Sequence, residues 1–182
     1  MRILIPAINN NDPPAAVALR AEGLEPEVWN VGINAKAYSK ILFEYWNDHE
    51  GFIVVEHDII PWPGALEKLW ACKQLWCGHS YPLHAQGLFG GYLGCTKFSA
   101  ELCDTYPKVM NRAWEESWQK IDGYVLTELR KLTGNDCFHL HFPPCAHIRE
   151  LPKLSEMNKR LLNETLPPSP NIPGYYKKLM GK

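Results

Sequence analysis

The densest chemistry in this chain is the run Glu56-His57-Asp58, which follows the apolar segment Gly51-Phe52-Ile53-Val54-Val55. Carboxylate oxygens suit hard divalent cations such as magnesium or manganese, and a cation held this way bridges readily to substrate phosphates. Glu56 and Asp58 stand two positions apart, so a regular extended backbone turns both carboxylates to one side and sends His57 to the other. Two acids on one side make a metal or ribose site geometrically feasible. The plainer alternative is a pair of polar residues closing a strand.

Further donors come late in the chain, where His139, His141, Cys145 and His147 form the pattern His-x-His-x3-Cys-x-His. Imidazole nitrogens and thiolates are the donors zinc prefers, and a strand would set His139 and His141 on one face. This spacing matches no established zinc signature, and hydrogen bonding in the core accounts equally well for each histidine. Asp122, beside Gly123, is either a helix-capping residue or a carboxylate able to take a proton from a hydroxyl. The six cysteines include no Cys-x-x-Cys pair and read as reduced, mostly buried thiols.

The elements that must position these groups follow from periodicity. Arg2 to Ile8 is an apolar run cut off by Asn9-Asn10-Asn11-Asp12-Pro13-Pro14, which predicts a buried first strand ending in a polar turn. The loop from Pro6 to Asp12 falls where open α/β sheets bind ligands, so Pro6, Ala7 and Asn9 are candidates for contacting a base or ribose. A short helix over Ala15 to Glu22 and a strand over Glu25 to Val31 follow. Tyr38, Ile41, Leu42 and Tyr45 then recur at helical spacing, with Asn34 available as the cap and Gly51 past the end. The β-branched and aromatic segment before Glu56 reads as a strand covered on both faces.

After the turn Ile59 to Gly64, a helix is expected over Ala65 to Lys73, and strands over Leu75 to Tyr81 and Tyr92 to Phe98. Ser99 caps a helix to about Tyr106. A longer helical pattern runs through Trp114, Trp118, Ile121, Val125, Leu129 and Leu132 to Gly134, with a break expected near Asp122-Gly123. A last strand, Cys137 to Phe142, leads through Pro143-Pro144 to His147. Alternating strands and helices without repeats predict an α/β three-layer sandwich with a mostly parallel central sheet. Residues 1–165 form one domain on this reading, and 166–182 a Pro-rich arm.

The segment IVVEHDIIPWPGALEKL resembles the part of GT-A glycosyltransferases (family 2-like) in which a hydrophobic strand ends in Asp-x-Asp before a Pro-Gly turn and a helix. Glu56 stands where that motif has its first Asp. The resemblance implies a nucleotide-diphospho-sugar transferase fold, with Asp58 ligating the Mn2+ or Mg2+ on the donor diphosphate and Glu56 and His57 beside the ribose or metal. GLFGGYLGCTKFS, containing Gly90 and Gly91, resembles the family's segment lining the sugar and acceptor pocket. Trp118 to Asp122 resembles the stretch with the acidic base, and Pro143 to His147 a late segment whose histidine, His147, ligates the metal. The implied reaction moves a sugar from a UDP- or GDP-sugar to an unidentified hydroxyl acceptor, with inversion as Asp122 deprotonates that hydroxyl.

Composition limits the alternatives. A net charge of -1 without any Lys/Arg-rich block excludes the footprint of a polynucleotide binder. MRILIPAINN makes neither a signal peptide nor a membrane span, so a cytoplasmic location is expected. Seven tryptophans are mostly core candidates; Trp62 and Trp118, which flank the proposed site segments, are the two placed to stack on a sugar or base. Two other functions fit the residues: a non-catalytic module binding a nucleotide-sugar or glycan, and a zinc hydrolase built on His139, His141, Cys145 and His147.

Overall fold

The strand β1 (Arg2–Ala7) alternates Ile3 and Ile5 on one face with Leu4 on the other, and all three are buried. A strand apolar on both faces needs a cover on each side, and the chain supplies two. The computed structural model describes residues 1–8, 12–82, 89–90, 93–111, 113, 116–117, 120–134 and 138–147. Along them run α1 (Pro14–Ala21), β2 (Glu27–Asn30), α2 (Ala37–Asn47), β3 (Phe52–Val55), β4 (Ile59–Ile60), α3 (Ala65–Ala71), β5 (Trp76–His79), β6 (Tyr81–Pro82) and β7 (Phe89–Gly90). The order continues with β8 (Cys95–Phe98), α4 (Ala100–Thr105), a 3-10 turn (Val109–Asn111), α5 (Ile121–Thr133), β9 (Phe138–His141) and β10 (Ala146–His147).

Six strands form the central sheet in the order β2-β1-β3-β8-β5-β9. Pairing is parallel for β1 with β2, β1 with β3 and β5 with β9, and antiparallel where β8 meets β3 and β5. One core packs α2, α4 and α5 on Leu4, Phe52, Val54, Trp76 and Phe98. The second packs α1 and α3 on Ile3, Ile5, Ile53, Val55, Cys77 and Cys95. The result is a mixed α/β sandwich of three layers around a mostly parallel sheet.

Packing in the first core is strongly aromatic. Phe52 lies 5.2 Å from Phe98 and 5.5 Å from Tyr45, centroid to centroid, and Phe98 lies 5.5 Å from Trp46. Such tilted and edge contacts add about 0.5–1.5 kcal/mol each beyond area burial. Trp46 is fully buried and donates its Nε1–H to the Tyr106 carbonyl at 3.1 Å, so its polar atom is satisfied. At the opposite end of the sheet from the strand carboxyl termini, Arg2 clips β1 to its neighbours. It donates to Glu27 at 3.2 Å and Asp48 at 2.6 Å while its guanidinium lies 4.1 Å from the Tyr45 ring centroid.

Several expected boundaries shift for local reasons. Asn34 does not cap α2: its Oδ1 accepts from the Lys36 N–H at 2.9 Å, forming a turn that leads into a helix whose cap position is Lys36. Of the long helical pattern, α5 covers Ile121–Thr133 and carries Gly123 within its first turn instead of breaking there, while Trp114 and Trp118 lie outside the described residues. Ser99 does cap α4, its Oγ accepting from Leu102 N–H at 3.1 Å. Trp29 and Trp70 are exposed, against the expectation of core tryptophans: Trp29 stands on the edge strand β2 with its indole N–H donating to the Tyr45 hydroxyl at 3.2 Å, and Trp70 near the end of α3. Cys77, Cys95, Cys103 and Cys145 are buried thiols and Cys72 is half-buried; Cys137 lies outside the described residues. The C-terminal arm, 166–182, also lies outside them. No helix among the described residues is long and apolar enough to cross a membrane.

Two glycines test this packing in opposite directions. A Cβ on Gly32 would stand 1.9 Å from the Ile8 carbonyl oxygen, whereas a Cβ on Gly123 would meet nothing within 4 Å. Gly32→Ala should destabilise the fold by about 1–3 kcal/mol through overpacking against backbone. Gly123→Ala should stabilise it by about 0.5–1 kcal/mol through helix propensity. Urea unfolding midpoints moving in the same direction for both variants would contradict the packing described.

Candidate functional site

The order β2-β1-β3 arises because the chain leaves β1 toward β2 on one side and then returns to place β3 on the other. Such a reversal opens a crevice beyond the strand carboxyl ends, with no helix crossing it. A cleft of about 390 Å³ lies there. Its lining comes from the end of β1 (Pro6, Ile8), the segment after β2 (Val31, Gly32, Asn34, Ala35), Tyr38 of α2, the residues after β3 (Glu56, His57, Asp58) and His147 of β10. One wall is therefore mainly apolar, and the other carries acids and imidazoles.

Glu56, His57 and Asp58 enter this cleft through a turn, not along a strand. Strand β3 ends at Val55, and the Ile59 N–H donates to the Glu56 carbonyl at 3.0 Å. The expected strand alternation therefore does not apply, since a tight turn has no two-residue periodicity, and Glu56, His57 and Asp58 are all lining residues of the cleft. The Ala15 N–H at the start of α1 donates to the His57 carbonyl at 3.4 Å, and the Glu56 N–H to the Gly94 carbonyl at 2.9 Å, fixing the turn from both sides.

Asp58 and His147, far apart in sequence, are neighbours in space. Antiparallel pairing of β4 with β10 sets His147 opposite Ile59, and the His147 Nε2 lies 3.4 Å from the Asp58 Oδ2. The side chains retain 17% and 11% of their exposure respectively, enough to meet a ligand in the cleft. The loop that delivers His147 is fastened at several points. Trp62 Nε1–H donates to the Pro143 carbonyl at 3.1 Å, Lys68 Nζ to the Phe142 carbonyl at 2.7 Å, and the Cys145 N–H to the Ser80 carbonyl at 2.7 Å. Buried His79 spans the Pro143 and Ala65 carbonyls, with ring nitrogens at 3.2 and 3.1 Å, and its burial lowers its pKa.

Tyr38, which helical spacing marks only as a core residue, is a site residue as well. Its hydroxyl donates to Glu56 Oε1 at 3.5 Å while the ring is buried. Burial first, and then the charges of Glu56 and Asp122, raise its pKa well above the ordinary phenol value, so it stays a neutral donor. Asp122 occupies the first turn of α5, in the same layer as Tyr38. Its Oδ1 is buried with no hydrogen-bond partner among the described residues, and burial pushes its pKa up to about 6. Asp122 is not a helix cap, since the cap position is Lys120, and it does not itself line the cleft.

The remaining candidates separate. Pro6 lines the cleft; Ala7 is buried and accepts the Val31 N–H at 2.7 Å through its carbonyl. Gly90 lies in β7 opposite Tyr81, while Asn9, Gly91 and Trp118 fall outside the described residues. Trp62 directs its indole N–H to Pro143 and packs edge-on against His79, away from the cleft lining. The four-residue zinc set is broken up: His147 joins Asp58, and Cys145 is buried beside Cys95, while His139 and His141 remain on β9.

No family model and no curated protein matches the sequence. Among solved structures, the chain is similar to a glycosyltransferase involved in glycosylation of the major capsid of PBCV-1, with 11% identity, 80% of this chain and 92% of that chain covered, and a TM-score of 0.48. It is also similar to a putative glucose-1-phosphate thymidylyltransferase from Bacillus anthracis, with 10% identity, 88% and 76% coverage and a TM-score of 0.45. A third is the inositol-1-phosphate CTP transferase from T. maritima, with 17% identity, 81% and 70% coverage and a TM-score of 0.42. At these scores the likenesses assign no family.

The raised Asp122 pKa has a definite sign. A carboxyl whose folded pKa, about 6, exceeds its ordinary 3.8 favours the folded state below the lower value, and that contribution is lost as pH rises through the higher one. Asp122→Asn, which removes the buried charge, should therefore be more stable than the parent at pH 8 by on the order of 2 kcal/mol, the gap closing near pH 4. Denaturant unfolding at the two pH values tests this; a gap independent of pH would show that burial of the charge is not the cause.

Proposed function

We propose that this chain is a metal-dependent glycosyltransferase of the GT-A type, transferring a sugar from a UDP- or GDP-sugar to a hydroxyl acceptor with inversion. The observation that carries the reading is the meeting of Asp58 and His147 at the switch-point cleft, 3.4 Å apart. Two cis ligands at about 2.1 Å from a magnesium-sized ion stand about 3.0 Å apart, so this carboxylate and imidazole fit a shared Mn2+ or Mg2+ with little movement. Such an ion offsets charge on a departing nucleotide diphosphate.

The chain's own residues supply the rest. The wall of Ile8, Val31 and Ala35 accepts the flat face of a base, and the Glu56 carboxylate, oriented by the Tyr38 hydroxyl, accepts hydrogen bonds from ribose hydroxyls. His57 and Asn34 add polar contacts at the same rim. Asp122 takes the acceptor's proton; its pKa near 6 makes it a better base than an ordinary aspartate while leaving it mostly ionised at neutral pH.

One observation favours a second reading, a module that binds nucleotide-sugar without turnover: Asp122 does not line the cleft. Donor hydrolysis or transfer in the presence of manganese would exclude it.

A thermal-shift panel of UDP- and GDP-sugars with and without manganese should give a metal-dependent rise in Tm for the matching donor. Asp58→Asn should weaken that binding by at least about tenfold, and undiminished nucleotide-diphosphate binding by this variant would refute the metal assignment. Asp122→Asn should keep donor affinity and lower turnover by about 10²–10⁴-fold, as expected for loss of a general base. Full turnover by that variant, measured as nucleotide diphosphate released, would remove Asp122 from the mechanism.

A further inference from the structure

A second cluster of metal donors lies at the other end of the sheet, where β9 is the edge strand. Cys72, Cys77 and His141 each bring a ligand atom within 4.8 Å of the others. His139 joins them, its Nδ1 lying 3.5 Å from the Cys72 Sγ and its ring 4.2 Å from that of His141. The register explains the convergence. Cys77 pairs with His139 in the parallel β5/β9 ladder, so their side chains share a face, and His141, two positions on, shares it too. Cys72 arrives from the C-terminal cap of α3, the helix covering that face.

We propose that Cys72, Cys77, His139 and His141 form a structural zinc site that fastens the end of α3 to the β5/β9 edge. Two sulphur and two imidazole donors are the set that a tetrahedral, borderline-soft ion selects over magnesium or manganese. With Zn–S near 2.3 Å and Zn–N near 2.0–2.1 Å, tetrahedral geometry sets sulphur and nitrogen about 3.6 Å apart, against the 3.5 Å found between Cys72 and His139. An independent sign is His141, buried to 6% exposure, whose Nε2 is a buried polar atom with no hydrogen-bond partner among the described residues. Binding converts both thiols to thiolates and releases two protons to solvent, so the bound unit carries no net charge. Exposed His139 and half-buried Cys72 give the ion an entry path, and four protein ligands leave no open position for water, which makes the site structural.

The test uses the full chain, reduced, stripped of metal with a chelator and titrated with Co2+ and then Zn2+. One equivalent of cobalt should give sulphur-to-cobalt charge-transfer absorption and tetrahedral ligand-field bands, zinc should displace it, and zinc should raise Tm by roughly 5 °C or more. Cys72→Ser should abolish the charge-transfer band, and Asp58→Asn should leave it intact. Should Cys72→Ser fail to fold, His139→Gln at an exposed position should weaken zinc binding at least about tenfold with unchanged far-UV circular dichroism. Cobalt bound without thiolate absorption, a band lost in Asp58→Asn, or a Cys72 to Cys77 disulfide that zinc does not prevent would each overturn the proposal.

Discussion

Everything at the candidate site depends on a ladder only two residues long. The pairing of β4 with β10 is what carries His147 to Asp58, and so short a ladder cannot support itself. Its partners hold it in place. The Phe142 carbonyl accepts from Lys68, the Pro143 carbonyl from Trp62 and the Ser80 carbonyl from the Cys145 N–H, so the approach to His147 is anchored on α3 and on the segment after β5. The entropy of closing the loop between residues 60 and 146 is offset by these hydrogen bonds and by the burial of Cys145 and Ala146.

The cleft itself is a consequence of sheet order. With β1 central and its neighbours reached in opposite directions, the carboxyl ends of three parallel strands open together, and α2 descends from that rim carrying Tyr38. Close backbone packing sharpens the rim, since Gly32 lets the segment after β2 lie directly on the Ile8 carbonyl. Asp122 is a local cost: a half-buried carboxyl whose Oδ1 has no hydrogen-bond partner among the described residues is destabilising at neutral pH. Folds commonly bear such costs where a proton must later be held or moved.

Strand β9 links the two ends of the sheet. Its face toward α3 bears His139 and His141, and its continuation through Phe142 and Pro143 becomes the strand that presents His147. Order at this edge therefore bears on the geometry of the cleft, although the two sites share no residue.

Much of the frame was legible in the residues. The two-faced apolar runs of β1 and β3 demand a sheet covered on both sides, the spacing of Tyr38, Ile41, Leu42 and Tyr45 gives α2, and Ser99 caps α4. The acids after Val55 are marked as a site by their position beyond a buried strand. These are local signals, because period and capping depend on neighbours within a few positions. What the tertiary structure alone decided is which distant groups meet. The turn at 56–59 brings His57 into the cleft, Tyr38 serves Glu56 as well as the core, and the donors beside His139 and His141 are Cys72 and Cys77, with Cys145 and His147 elsewhere. Those partnerships follow from β5 lying beside β9 and β4 beside β10, and non-local strand pairing leaves no mark in the periodicity of any single segment.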